Sequence, residues 1–180
     1  MFRRWQHFTC AIATASALGC SSVTSAAPSS GCDVSFTNVQ PAGETLLATP
    51  FHDGSASALS WDPKLNYLDV LGGDLSDKPS RAIELELTGA PIADGVTIVL
   101  GQPVAGDPLG STPRLDLATA NADKLTARGG TVHFTTASAT RLVFSVTNAT
   151  MVVVDAQGQT VSDGPKATMA MTCGLDVKTN

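Results

Sequence analysis

The stretch Cys32-Asp33-Val34-Ser35-Phe36-Thr37, read against Ala167-Thr168-Met169-Ala170-Met171-Thr172-Cys173 near the other end of the chain, decides the fold class. In both, side chains alternate with a period of two. This sets Cys32, Val34 and Phe36 on one face of a strand, and Ala167, Met169, Met171 and Cys173 on one face of another. Each cysteine is in phase with its strand's apolar residues and so points toward a core. A Cys32–Cys173 bridge would pin the first strand to the last and close nearly the whole domain. The alternative is a pair of buried free thiols.

The same alternation recurs between these ends. Ile83-Leu85-Leu87 interleave with Glu84-Glu86-Thr88, the pattern of a half-buried strand. Val96-Ile98-Leu100 follow the Asp94-Gly95 turn and suggest a hairpin with that strand. Val132 and Phe134 oppose Thr131, His133 and Thr135, and Leu142-Phe144-Val146 oppose Arg141, Ser145 and Thr147. Met151–Val154 is a short continuous apolar run, and a turn at Gln157-Gly158 leads to the last strand. Turn clusters such as Gly72-Gly73-Asp74, Gly106-Asp107-Pro108 and Gly129-Gly130 punctuate the chain, and most of the acidic residues are Asp, a turn former and poor helix former. Only Leu115–Arg128 offers a helical alternative, of a turn or two. The expectation is an all-β fold: an antiparallel β-sandwich of about eight to ten strands, with a small β-barrel as second choice. The Cys…Trp…Cys layout invites an immunoglobulin comparison, but Cys173 lies much too far from Cys32 for the inter-sheet bridge of that family.

The first residues read as an address. Arg3 and Arg4 form a positive n-region, and Phe8–Leu18 is an uncharged run too short to span a bilayer as a helix. Ser16-Ala17-Leu18-Gly19-Cys20 resembles a bacterial lipoprotein signal (type II signal peptide), in which a small residue precedes a cysteine that is acylated and becomes the first mature residue. That resemblance implies lipidation at Cys20. Ser21 after the cysteine implies the outer membrane in a Gram-negative cell. The rival is ordinary cleavage after Ala26, which would leave a periplasmic or extracellular protein. Ser21–Gly31 is rich in Ser, Ala, Pro and Gly, cannot bury enough surface to order itself, and suits a leash between anchor and domain. The expected organisation is a signal peptide over 1–19, a lipid-anchored linker over 20–31 and one domain over 32–180. The segment GGTVHFTTASATRLVFSVTNATM also resembles the C-terminal hairpins of poorly characterised exported bacterial lipoproteins, a likeness that carries no activity across.

Composition narrows the partners. The chain carries 11 Lys and Arg against 16 Asp and Glu, a net charge of −5. Loss of Arg3 and Arg4 with the leader makes the mature protein more acidic still. Such a surface repels phosphate backbones and anionic lipid, which argues against nucleic-acid binding and leaves the lipid anchor as the means of membrane attachment. An even cysteine pair in an exported chain reads as a disulfide.

Little in the sequence points to catalysis. Beyond the leader only His52 and His133 could serve as a histidine base, and no nucleophile elbow, HExxH, P-loop or dinucleotide fingerprint occurs. Asp69, Asp74 and Asp77 lack the spacing of an EF-hand loop, so no metal site and no cofactor is expected. The richest patch is FHDGSASALSWDPKLNY, where Phe51, His52, Asp53, Trp61, Asp62 and Tyr67 could form a carbohydrate- or small-ligand-binding platform. The competing reading puts Trp61 and Tyr67 in the core. The expected function is a non-enzymatic cell-envelope lipoprotein with a structural or protein-contact role. The alternatives are a ligand-binding module and, behind it, a secreted hydrolase.

Overall fold

Among the described residues, alternation becomes pairing in eleven strands: β1 (Gly31–Gln40), β2 (Phe51–Asp53), β3 (Ser57–Asp62), β4 (Tyr67–Gly72), β5 (Arg81–Thr88), β6 (Thr97–Val99), β7 (Arg114–Thr119), β8 (Lys124–Ala127), β9 (Thr131–Ala137), β10 (Arg141–Val153) and β11 (Lys166–Asp176). The structure, a computed structural model, describes residues 26–177 apart from 43, 45–46, 48, 63, 65, 74–80 and 120–123. The signal peptide, Cys20, residues 21–25 of the leash, Asp74 and Asp77 lie outside the described residues.

All eleven strands belong to one antiparallel sheet curled into a half-barrel, ordered β2-β1-β11-β10-β8-β7-β5-β4-β3. The 13-residue β10 organises it. Along one side β10 pairs with β11; along the other, residues 142–147 pair with β9 and 151–153 with β8. A register shift between Val146 and Ala149, with Asn148 at φ 55°, lets one strand serve two neighbours. Strand β6 then adds to β9.

The ends of the sheet are adjacent in sequence. Counting antiparallel steps along the sheet gives β2 and β3 the same direction, and only Gly54-Ser55-Ala56 separate them. The run 51–62 therefore pairs with β1 through its first three residues and with β4 from Ser57 onward. This change of partner draws the two edges together. Gly72, the last residue of β4, sits against the kink: a Cβ there would lie 2.4 Å from Asp53 Oδ2 and 3.0 Å from the Ala56 Cβ. Ser55 Oγ accepts from the Gly73 amide at 3.3 Å and donates to Asp53 Oδ1 at 2.6 Å.

Inward-facing residues fill the curl as a single core. Leu68 and Val70, Ile83, Leu85 and Leu87, Leu115 and Leu117, and Met169 and Met171 are buried at alternate positions of their strands, with Phe134 and Phe144 in tilted contact at 5.3 Å between ring centroids. Cys32 and Cys173 lie directly opposite each other on β1 and β11, are joined by a disulfide with S–S 2.04 Å, and are both buried.

The all-β antiparallel expectation and the cysteine pairing hold. The finer arrangement differs: one curled sheet of eleven strands replaces the two packed sheets of eight to ten, which brings the fold nearer the barrel alternative. Leu115–Arg128 forms strands β7 and β8, paired at Asp116↔Thr126, not a helical turn. The strand after Asp94-Gly95 pairs with β9, not β5. The Gly95 amide bonds to the Phe134 carbonyl at 2.8 Å, and Asp94 Oδ1 accepts from the Ala137 amide at 2.6 Å, so that turn is a fixture of β9.

Candidate functional site

Outward-facing positions on β2, β1, β11, β10, β9 and β6 fall into register. His52 is opposite Asp33, Asp33 opposite Thr172, Thr172 opposite Ser145, Ser145 opposite His133 and His133 opposite Thr97. Six hydrogen-bonding side chains thus form one row across six strands. At about 4.8 Å per strand, the row is roughly 24 Å long. Both histidines beyond the leader lie in it. Small residues flank the row: Ser35 on β1, Ala170 on β11, and Thr147, whose hydroxyl meets that of Thr131 at 3.0 Å.

The β2-to-β10 half of this face is concave. A groove of about 620 Å³ is bordered by Asp33, Ser35, His52, Ser145 and Thr172, with Pro50 at its rim. Its floor is strand backbone whose amides and carbonyls pair between β1, β11 and β10. The lining contains one ion pair, His52 Nδ1 to Asp33 Oδ1 at 2.7 Å, with each side chain about half exposed (51% and 49%). A carboxylate on Nδ1 fixes the imidazole's orientation and leaves Nε2 to face outward. Nε2 leans toward the kink, 3.6 Å from where a Gly54 Cβ would stand. Ser35 lies in the other direction along β1, and among the described residues no hydroxyl bonds to Nε2. The contact fixes the imidazole and the carboxylate relative to each other at the border of the groove. His133 is held similarly, its Nδ1 3.0 Å from Thr97 Oγ1.

The six residues singled out in sequence do not converge. Phe51 and His52 border the groove, but the Phe51 ring is occupied on its faces, by Phe36 at 6.4 Å and by the Arg81 guanidinium 4.1 Å from its centroid. Asp53 is buried at the kink. Trp61 pairs with the buried Leu68 and packs against the core with its Nε1 buried, whereas Asp62 and Tyr67 are opposite each other in the adjacent, outward phase. Trp61 and Tyr67 thus belong to different faces of the sheet and share no platform. Asp62 Oδ1 accepts from the Lys64 amide at 2.8 Å, an Asx turn. Burial, with Asp69, Glu86 and Glu84 nearby, raises the Tyr67 phenol above its ordinary range.

The sequence reading passes over Ser35, Thr97, Ser145 and Thr172 as site residues, and also Asp33. The polar phase of Asp33 was visible, but its partner lies 19 residues away on a strand of three residues, and local periodicity carries no information on which strands meet.

A second cleft of about 470 Å³ lies over β7 and β8, bordered by Arg114, Lys124 and Arg128. Its cations are engaged within the fold. Arg114 and Lys124 reach the buried Asp116 carboxylate at 2.6 and 3.0 Å, Thr126 donates to the same group at 2.7 Å, and Arg128 bonds to the Gly158 carbonyl. Among the described residues no group of three or more His, Cys, Asp or Glu is placed to hold a metal ion. Comparison with family models, curated proteins and solved structures finds no match for this chain.

Proposed function

We propose that this chain is a cell-envelope lipoprotein that acts by contact and not by catalysis. In this reading Cys20 is the acylated first mature residue, and two or more acyl chains hold a protein stably on a bilayer. The leash reaches the fold at Pro28, whose carbonyl accepts from Arg141 Nη2 at 3.3 Å, and enters β1 at Gly31. The eight residues from Cys20 to Pro28 span at most roughly 26–29 Å when extended. The groove begins at Asp33, two residues into β1, so the anchor would hold it close to the membrane.

The observation that carries the reading is the outer face itself. Ser, Thr, Ala and one hydrogen-bonded Asp–His pair are set on rigid paired strands, which makes a surface suited to recognition and cheap in side-chain ordering. The Cys32–Cys173 bridge is compatible with an exported protein, because structural disulfides belong to oxidising compartments. Among the described residues no helix is long and apolar enough to cross a membrane.

The test is expression of the full chain and its Cys20→Ala variant in a Gram-negative host, followed by fractionation. The reading expects the parent protein in the outer-membrane fraction and the variant in the soluble periplasmic fraction. Equal, soluble distribution of both would remove the anchor.

A further inference from the structure

The row on the outer face has a direction, and that direction bears on the ligand. An extended peptide that joins a sheet does so at an edge, parallel to the strands and through free backbone groups. Here the polar groups run perpendicular to the strands, and the backbone beneath them on β1, β11 and β10 is already paired. What is offered is a line of side-chain hydroxyls, imidazoles and one carboxylate at strand spacing: His52, Asp33, Thr172, Ser145, His133 and Thr97. Such a line suits a ligand that repeats hydroxyl groups along its own length.

The lining also bears on charge. Among the described residues the groove is bordered by no Lys, Arg or Glu, and its titratable residues are His52 and Asp33, 2.7 Å apart. The whole chain is acidic at −5. An anionic polymer finds no counter-charge there, and a cationic one finds a single carboxylate already engaged. The Phe51 ring at the groove's border already meets Phe36 at 6.4 Å and the Arg81 guanidinium at 4.1 Å, which leaves hydrogen bonds and contact with small and apolar side chains to carry most of the recognition.

From this juxtaposition we infer that the groove takes a linear, uncharged glycan lying across the strands, with three or so sugar units in the groove and the chain continuing over His133 and Thr97. This deepens the contact reading above and rests on it. Asp33 and His52 Nε2 anchor one end of the glycan; Thr172 and Ser145 bond its middle.

The experiment is amide-shift NMR of the isotopically labelled domain, with the disulfide intact, titrated with neutral chito-, cello- and malto-oligosaccharides of four to five units and with an oligouronate of equal length. The inference expects one neutral series to bind saturably, with shifts concentrated on β1, β10 and β11 around Asp33, Ser145 and Thr172. Ser145→Tyr, which fills the groove from an outward position, should weaken that binding at least tenfold. Asp33→Asn should weaken it severalfold, and Arg128→Gln in the second cleft should leave it unchanged. Each variant is first shown to melt as the parent does. Absence of saturable binding by all neutral series, tighter binding of the oligouronate, or shifts that map elsewhere would each overturn it. Binding of the unlipidated Cys20→Ala protein (the parent here), with and without Ser145→Tyr, to washed envelopes separates the two layers. If the variant is lost from envelopes although no neutral glycan binds, the contact reading stands and the glycan falls. If parent and variant behave alike there as well, both fall.

Discussion

Replacing Cys32 and Cys173 together by alanine isolates what the cross-link contributes. In the folded protein the two residues already face each other within the β1–β11 ladder, which runs in continuous register from Gly31↔Gly174 to Thr37↔Thr168. The bridge therefore adds little to holding the native ends together. Its effect lies in the unfolded chain, where it closes a loop with a sequence separation of 141. The chain-entropy relation gives about 5 kcal/mol for a loop of that length at 25 °C. Domains of this size are commonly stable by only about 5–15 kcal/mol, so the variant should sit near the edge of folding. Equilibrium urea unfolding of parent and double variant, followed by far-UV circular dichroism, measures the difference. The double variant should lose roughly 3–5 kcal/mol and show a larger m-value, because its unfolded chain is more extended. Reduction of the parent should reproduce the loss. A loss below about 1 kcal/mol, with unchanged m, would refute the reasoning that the bridge acts by constraining the unfolded state.

Other consequences are local. Gly72→Ala forces a methyl against Asp53 and Ala56 at the kink that joins the sheet's two edges, and should cost about 1–3 kcal/mol in a thermal or urea melt. Asp69 is raised above the usual carboxylate range by burial and then by Glu86, its cross-strand neighbour. The native state therefore binds its proton more readily than the unfolded chain, and stability falls as pH rises from the unfolded value of about 3.9 through the folded one. Asp69→Asn should accordingly raise Tm at pH 7, with the gain vanishing below pH 4. Asp107 behaves oppositely. Hydrogen bonds from Ser111 and from the Leu109 amide hold its carboxyl below the ordinary range, so its contribution is present above about pH 3.9 and lost as pH falls through its folded value. The Tm difference between parent and Asp107→Ala should therefore shrink in acid.

How much of this could be seen in the sequence depends on whether the signal was local. The alternation at Cys32–Phe36, Ile83–Leu87 and Ala167–Cys173 reflects which side of a strand is buried, and each pattern is reproduced in the burial of those residues. Pairing is another matter. Val96-Ile98-Leu100 read correctly as a strand yet joined β9, because the choice is made by bonds such as Gly95 to Phe134, remote in sequence. Leu115–Arg128 showed helix-compatible spacing, and long-range ladders with β5 and β10 overrode it. The residues of the sequence patch are dispersed for the same reason. Phe51–Tyr67 is contiguous in sequence, but the partner change at Gly54–Ala56 and the alternation of β3 and β4 distribute its side chains over both faces. The row from His52 to Thr97 draws one residue from each of six strands, so no window of sequence contains it.

We propose above that this domain works at the cell envelope from an anchor at Cys20. Intact mass spectrometry of the protein extracted from its native membrane, with and without reduction, tests that claim most directly. The expected result is a chain that begins at Cys20, carries added acyl mass, and gains two hydrogens on reduction. A chain that begins at Ala27 without lipid would contradict it.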